Sequence, residues 1–208
     1  LKDMSANEFK EFNNEVLGYL RQNNLENMIS EASSFRVIFT YMVEAIVNSL
    51  LYGLFIGILL ITLIIGLFFR SYLLPALSIF PNILPIGMGF GLWGLFVGDV
   101  GFMVAVGMGS TLGVIVDFTV HFLSKYELAR KEFKKSVEES VIYSFETVGF
   151  ALIIMTVVLA LGFSVLNLVT FIPIQDFAKF SVICFIGGLI INFLFLPNLL
   201  MKFDKRKF

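Results

Sequence analysis

The chain has 208 residues, of which 58% are hydrophobic and only 15% charged, with a formal net charge of -1 and a mean hydropathy of +0.90. Soluble domains are far less apolar, so composition excludes an ordinary soluble protein, and the near-zero net charge carries no information about partners. One cysteine and one histidine exclude a disulfide framework and leave no ligand set for a metal site.

The first 40 residues differ in kind from the rest, with ten charged residues between Lys2 and Arg36. Phe9, Phe12, Val16, Tyr19 and Leu20 have helical spacing, and Ser5 with Glu8 reads as a capping box opening that helix. Asn23 and Asn24 interrupt the pattern, and Leu25, Met28 and Ile29 resume it. Residues 1–40 are expected to be the end of an extracytoplasmic, helical domain, with an interfacial membrane helix as the alternative. The chain opens at a leucine in mid-pattern, with neither a start Met nor a signal peptide, so it is expected to be the C-terminal part of something longer.

Beyond residue 40 the charges segregate. Runs without Asp, Glu, Lys or Arg cover Ala45 to Phe69, Ser71 to Gly98, Val100 to Val116, Thr147 to Gln175 and Phe180 to Met201. A membrane helix needs about 20 residues, and the third run reaches that length once Asp117 is accepted inside it. The expectation is an all-α membrane protein whose transmembrane domain, 41–208, holds five helices at about 43–70, 74–98, 101–124, 145–168 and 179–201.

The second span contains Pro75, Pro81 and Pro85, each lacking a backbone donor. In lipid the freed carbonyls need other partners, so this helix is expected to be kinked and packed against protein. Its glycines, Gly87, Gly89, Gly91 and Gly94, permit close approach of a neighbour.

The third span carries the chemistry. Residues four apart lie about 40° apart around a helix, so Gly109, Gly113, Asp117 and His121 form one stripe. Small residues at this spacing let helices pack closely, which places Asp117 at an expected helix interface. An acid at this depth costs about 2.5 to 3.5 kcal/mol on insertion scales and marks a functional position by default. The other reading is a structural acid bonded to Thr119, Thr156 or a neighbouring helix. His121 lies four residues before Lys125, near the interface, and three readings stay open for it: a proton-uptake step, a partner of Asp117, or an ordinary interfacial histidine.

The connector 125–144 holds basic residues interleaved with Glu127 and Glu132, which reads as a solvated linker rather than a nucleic-acid surface. Ser136 and Glu139 form a second capping box leading into the fourth span. Thr156, near the middle of that span, is a candidate to face Asp117, whereas Glu146 reads as interfacial. Cys184 in the last span reads as a small apolar core residue. Ten basic residues follow the first, third and fifth spans and only Lys179 sits in the opposite loops. The positive-inside rule therefore puts the C-terminus in the cytoplasm and the N-terminal segment outside.

Four segments occur in an order that resembles the resistance-nodulation-division (RND) superfamily. They are Leu67 to Ser71, Pro81 to Ile86, Gly113-Val-Ile-Val-Asp117-Phe-Thr-Val-His121-Phe122, and Leu196-Pro-Asn-Leu-Leu200. The nearest resemblance is to the MMPL-like branch of lipid and hydrophobe exporters, related to Patched and to sterol-sensing domains. The resemblance implies five helices of a half-repeat from a twelve-helix secondary transporter, with the upstream half, or a second copy, as partner. It implies no enzyme activity and no cofactor, but proton antiport that exports lipids or hydrophobic small molecules across a cell inner membrane. Asp117 then belongs to a proton relay, assisted by Thr156 and His121, with Gly109 and Gly113 packing beside it. Many relatives follow the acid with a second Asp or a Tyr, where this chain has Phe118; the acid-Phe-Thr-Val-His pattern is that of Patched and sterol-sensing members. A non-pumping lipid sensor is the alternative function, and a SecD/SecF-type translocation accessory a third.

Overall fold

A computed structural model describes residues 6–23, 35–98 and 100–206, with the side chains of 6–10, 35–40 and Glu44 left aside. All its regular elements are helical: α1 (Ala6–Gln22), α2 (Phe35–Phe69), α3 (Leu73–Phe96), α4 (Phe102–Lys131), α5 (Val137–Ser144), α6 (Phe150–Val165) and α7 (Ile172–Phe203). A π-helical turn, Phe145–Gly149, joins α5 to α6 into one rod. Five helices are long and apolar enough to cross a membrane, as the charge-free runs predict. The chain divides into two compact units, Leu1–Ser49 and Leu50–Phe208.

In the first unit, α1 ends where the Asn23 side chain donates to the Tyr19 carbonyl at 2.8 Å, which stops the helix at the predicted asparagine. The Ser5–Glu8 capping box, Asn24 and the stripe Leu25, Met28 and Ile29 lie outside the described residues.

The second unit is organised on α7, which packs against α3, α4 and α6. Contact between α4 and α7 is close because glycines face the partner. A Cβ on Gly107 would sit 3.1 Å from the Phe180 ring, and one on Gly188 would sit 3.0 Å from Ile115. Helix α3 runs unbroken through Pro81 and Pro85, both buried. Gly89 lies so close to α7 that a Cβ would meet Cys184 Sγ at 2.6 Å, which accounts for a glycine there. Cys184 is fully buried, in keeping with a small core residue. Helix α2 lays Ile58, Ile61, Ile65 and Phe69 on this core and turns Phe55, Leu59, Leu63 and Leu67 outward, as a helix facing lipid must.

Helix ends differ from those of the apolar runs. Helix α4 continues to Lys131 and α5 already begins at Val137, so only 132–136 separate them. The charges that end the apolar run do not end the helix, because Tyr126, Glu127, Ala129 and Arg130 are buried against neighbours. At the other side α7 starts at Ile172, with Pro173 in its first turn, where a missing donor has no cost. The Ser136–Glu139 capping box is formed in both directions, at 3.2 and 2.8 Å. Phe145, in the π-helical turn, stacks edge-on with Phe122 and Phe193, each at 5.1 Å between ring centres.

Candidate functional site: an acid and a histidine on an open helix face

One turn apart on α4, Asp117 and His121 contact each other, with Nε2 3.3 Å from Oδ1. Fifteen residues separate Phe102 from Asp117, a rise of about 22 Å at 1.5 Å per residue. In a hydrocarbon layer of about 30 Å, a span entered at Phe102 would carry the pair into the half nearer Lys125. Neither side chain is enclosed: His121 is 57% exposed and Asp117 41%. The pair follows from spacing alone, since i and i+4 share a helix face.

The stripe expected to bury this pair does not do so within the chain. A Cβ on Gly109 or on Gly113 would meet nothing within 4 Å, so none of the described helices packs against these two glycines. The glycine contact on α4 is made instead by Gly107, two residues and roughly 200° around the helix from Gly109. Gly109, Gly113, Asp117 and His121 thus form an open face, about three turns long, running down the outside of α4.

Thr156 is buried, but its hydroxyl donates to the Leu152 carbonyl of its own helix at 2.8 Å, the common fate of a threonine in a membrane helix. The structure does not bring it to Asp117. Phe118, the residue after the acid, is fully buried with Leu152 and Val148 and lies 3.6 Å from where a Cβ on Gly188 of α7 would sit. Phe118 therefore serves as a packing residue of α4.

No protein-family model matches the chain, and no curated protein matches it.

Thr119, a possible partner of Asp117 by sequence, points the other way. Its hydroxyl lies 2.7 Å from Asn82 Oδ1 on α3 and 2.9 Å from Asn192 Oδ1 on α7, and all three residues are buried. One hydroxyl proton cannot serve two acceptors. Asn192 is oriented by its own Nδ2, which donates to the Gly188 carbonyl at 3.2 Å. Turning over the Asn82 amide satisfies the network: Asn82 Nδ2 donates to Thr119, and Thr119 donates to Asn192. Sequence reading passed over this junction of three helices, although two amides in charge-free runs were its signal.

A second cluster closes the far end of α4. Arg206 donates to both oxygens of Glu127, at 3.0 and 2.9 Å, and to both oxygens of Asp204, at 2.9 and 2.7 Å. Tyr126 donates to Asp204 Oδ2 at 2.6 Å. Arg130 donates to the carbonyls of Lys135, at 2.7 Å, and of Arg206. Lys131 pairs with Glu127 at 2.9 Å and donates to the last carbonyl of α2, at Phe69, 3.1 Å away. Burial pushes the Asp204 carboxyl up, but hydrogen bonds from Arg206 and Tyr126 outweigh it and hold it at about 2. Burial draws the Arg206 guanidinium down, and its hydrogen bonds to Asp204 and Glu127 reverse that and raise it. The cluster ties the chain beyond α7 to α4 and α2.

Proposed function

We propose that this chain is a half-repeat of a proton-driven exporter of lipids or hydrophobic small molecules, of the RND type and MMPL-like branch. The observation that carries the reading is the Asp117–His121 pair, held 3.3 Å apart on an uncovered, glycine-lined face of a membrane-crossing helix. An acid and a base in contact on a membrane-crossing helix are costly there and mark a functional position by default. The open face at Gly109 and Gly113 has the small-residue character that receives another helix. In this reading the upstream half of the same transporter, or a second copy, covers it and encloses the pair.

Inward movement of one proton at 100 mV supplies about 2.3 kcal/mol before any pH gradient. In this reading the partner helix alternately covers and uncovers the pair. Alternation between the two states loads and discharges Asp117, with His121 passing the proton toward the cytoplasmic end. That end and the C-terminus are cytoplasmic in this reading, which the ten basic residues following the first, third and fifth spans support through the positive-inside rule, and the membrane is a cell inner membrane.

One observation favours a second reading, a non-pumping lipid-sensing module. The Thr156 hydroxyl is committed to Leu152 and Phe118 is committed to packing, so among the described residues neither of these two positions assists Asp117. Reconstituted vesicles loaded with a lipophilic fluorescent dye separate the two. Efflux that requires an imposed proton gradient and is lost in Asp117→Asn supports the exporter; efflux indifferent to the gradient, or absent, supports the sensor.

A further inference from the structure

Where α2 ends and α3 begins, a groove of about 600 Å3 opens to the outside of the molecule, within the range of about 300–1,000 Å3 typical of small-ligand sites. Its wall is apolar, formed by Leu59, Leu63, Leu67 and Ile79, and its floor is made of small residues, Gly66 and Ala76. Helix α3 comes close at Gly66, since a Cβ there would lie 3.4 Å from Pro75 Cγ. Leu63 and Leu67 are more than half exposed, so the groove faces the lipid rather than the core.

Among the described residues that line the groove, one is a cation. Arg70 lines it beside Ser71 and Tyr72, is exposed, and makes no ion pair with any described residue. Lys131, by contrast, pairs with Glu127 at 2.9 Å. Arg70 also occupies a position that suits glycine: its φ is 49°, and the Ser71 N–H donates back to the Gly66 carbonyl at 3.3 Å, closing α2 in a Schellman turn. Glycine would end the helix with less strain but would leave the mouth uncharged.

We propose that this groove binds an anionic glycerophospholipid of the cytoplasmic leaflet, with an acyl chain along the leucine wall and the phosphate at Arg70. An apolar slot closed by one uncompensated cation complements an amphiphile with one net negative charge. A zwitterionic lipid brings its own ammonium to Arg70, and a water-soluble anion leaves the wall unused. The proposal does not depend on proton coupling.

Native mass spectrometry of the purified protein in detergent, titrated separately with dioleoyl phosphatidylglycerol and dioleoyl phosphatidylcholine, tests it. Phosphatidylglycerol should bind about five-fold tighter, the effect of one basic side chain at an anionic lipid surface. Arg70→Gln should remove that preference, Arg70→Lys should keep it, and Lys125→Gln, outside the groove, should leave it unchanged. Ala76→Phe, which fills the slot from an exposed position, should remove one bound lipid of either kind. The proposal is overturned by equal binding of the two lipids, by Arg70→Gln binding like the unaltered protein, by Lys125→Gln losing the preference to the same extent, or by displacement of the lipid with glycerol 1-phosphate alone.

Discussion

Arg206 grips both oxygens of Glu127, at 3.0 and 2.9 Å, across 79 residues of chain. Glu127 is 4% exposed, so its charge depends on this contact and on Lys131. Arg206→Ala should destabilise the second unit by about 3 kcal/mol, the lower end for breaking a buried pair, because both Glu127 and Asp204 lose a cation. Thermal unfolding in detergent measures it, and adding Glu127→Gln should return part of the loss. An unchanged melting temperature in Arg206→Ala would show that the cluster is ornamental.

The acid limb of stability should carry the mark of Asp204. Its folded pKa of about 2 lies below the usual value of about 3.9, so its contribution is complete above pH 4 and is lost as the pH falls toward 2. By linkage that contribution is about 2 kcal/mol. Unfolding free energy measured against pH should therefore drop across that window in the native chain, and Asp204→Asn should be lower at neutral pH and flatter below pH 4.

Thr119→Val should cost about 1–3 kcal/mol, since it strands buried amide groups of Asn82 and Asn192 without changing shape. Thr119→Ser keeps the hydroxyl and should cost less. Equal melting temperatures for the valine variant and the native chain would mean that the three residues do not form one network.

Glycines on α4 and α3 should divide cleanly. Gly89→Ala forces a methyl against Cys184 and Phe180 and should cost about 1–3 kcal/mol by overpacking. Gly113→Ala meets open space in this chain and should leave its stability unchanged, or improve it by up to about 1 kcal/mol of helix propensity. If Gly113→Ala abolishes transport while the protein stays folded, the open face is covered in the working assembly. Transport at the native level would leave that face to lipid.

The five membrane-length helices were legible because apolar runs with so few charges admit little else. Their ends were not: Tyr126, Glu127 and Arg130 look like a solvated connector until the tail beyond α7 returns to bury them, a tertiary event with no local signal. Facing was the other difficulty. Gly107 and Gly109 differ by two residues and point to opposite sides of α4, so spacing identified the stripe but could not say that the chain's own contact uses Gly107. The same phase problem sent Thr119 toward Asn82 and Asn192 and left Thr156 with its own backbone. Asp117 and His121 were legible as neighbours, because that relationship lies within one helix.

Proton movement itself is the direct test of the role proposed for Asp117. Pyranine trapped in proteoliposomes reports inward proton flux when an outside-acid gradient is imposed in the presence of a lipophilic dye. The proposed mechanism predicts dye-dependent flux with the native protein and flux at the level of protein-free vesicles with Asp117→Asn, which should insert and melt like the native protein. Native flux in a well-inserted Asp117→Asn protein would contradict it.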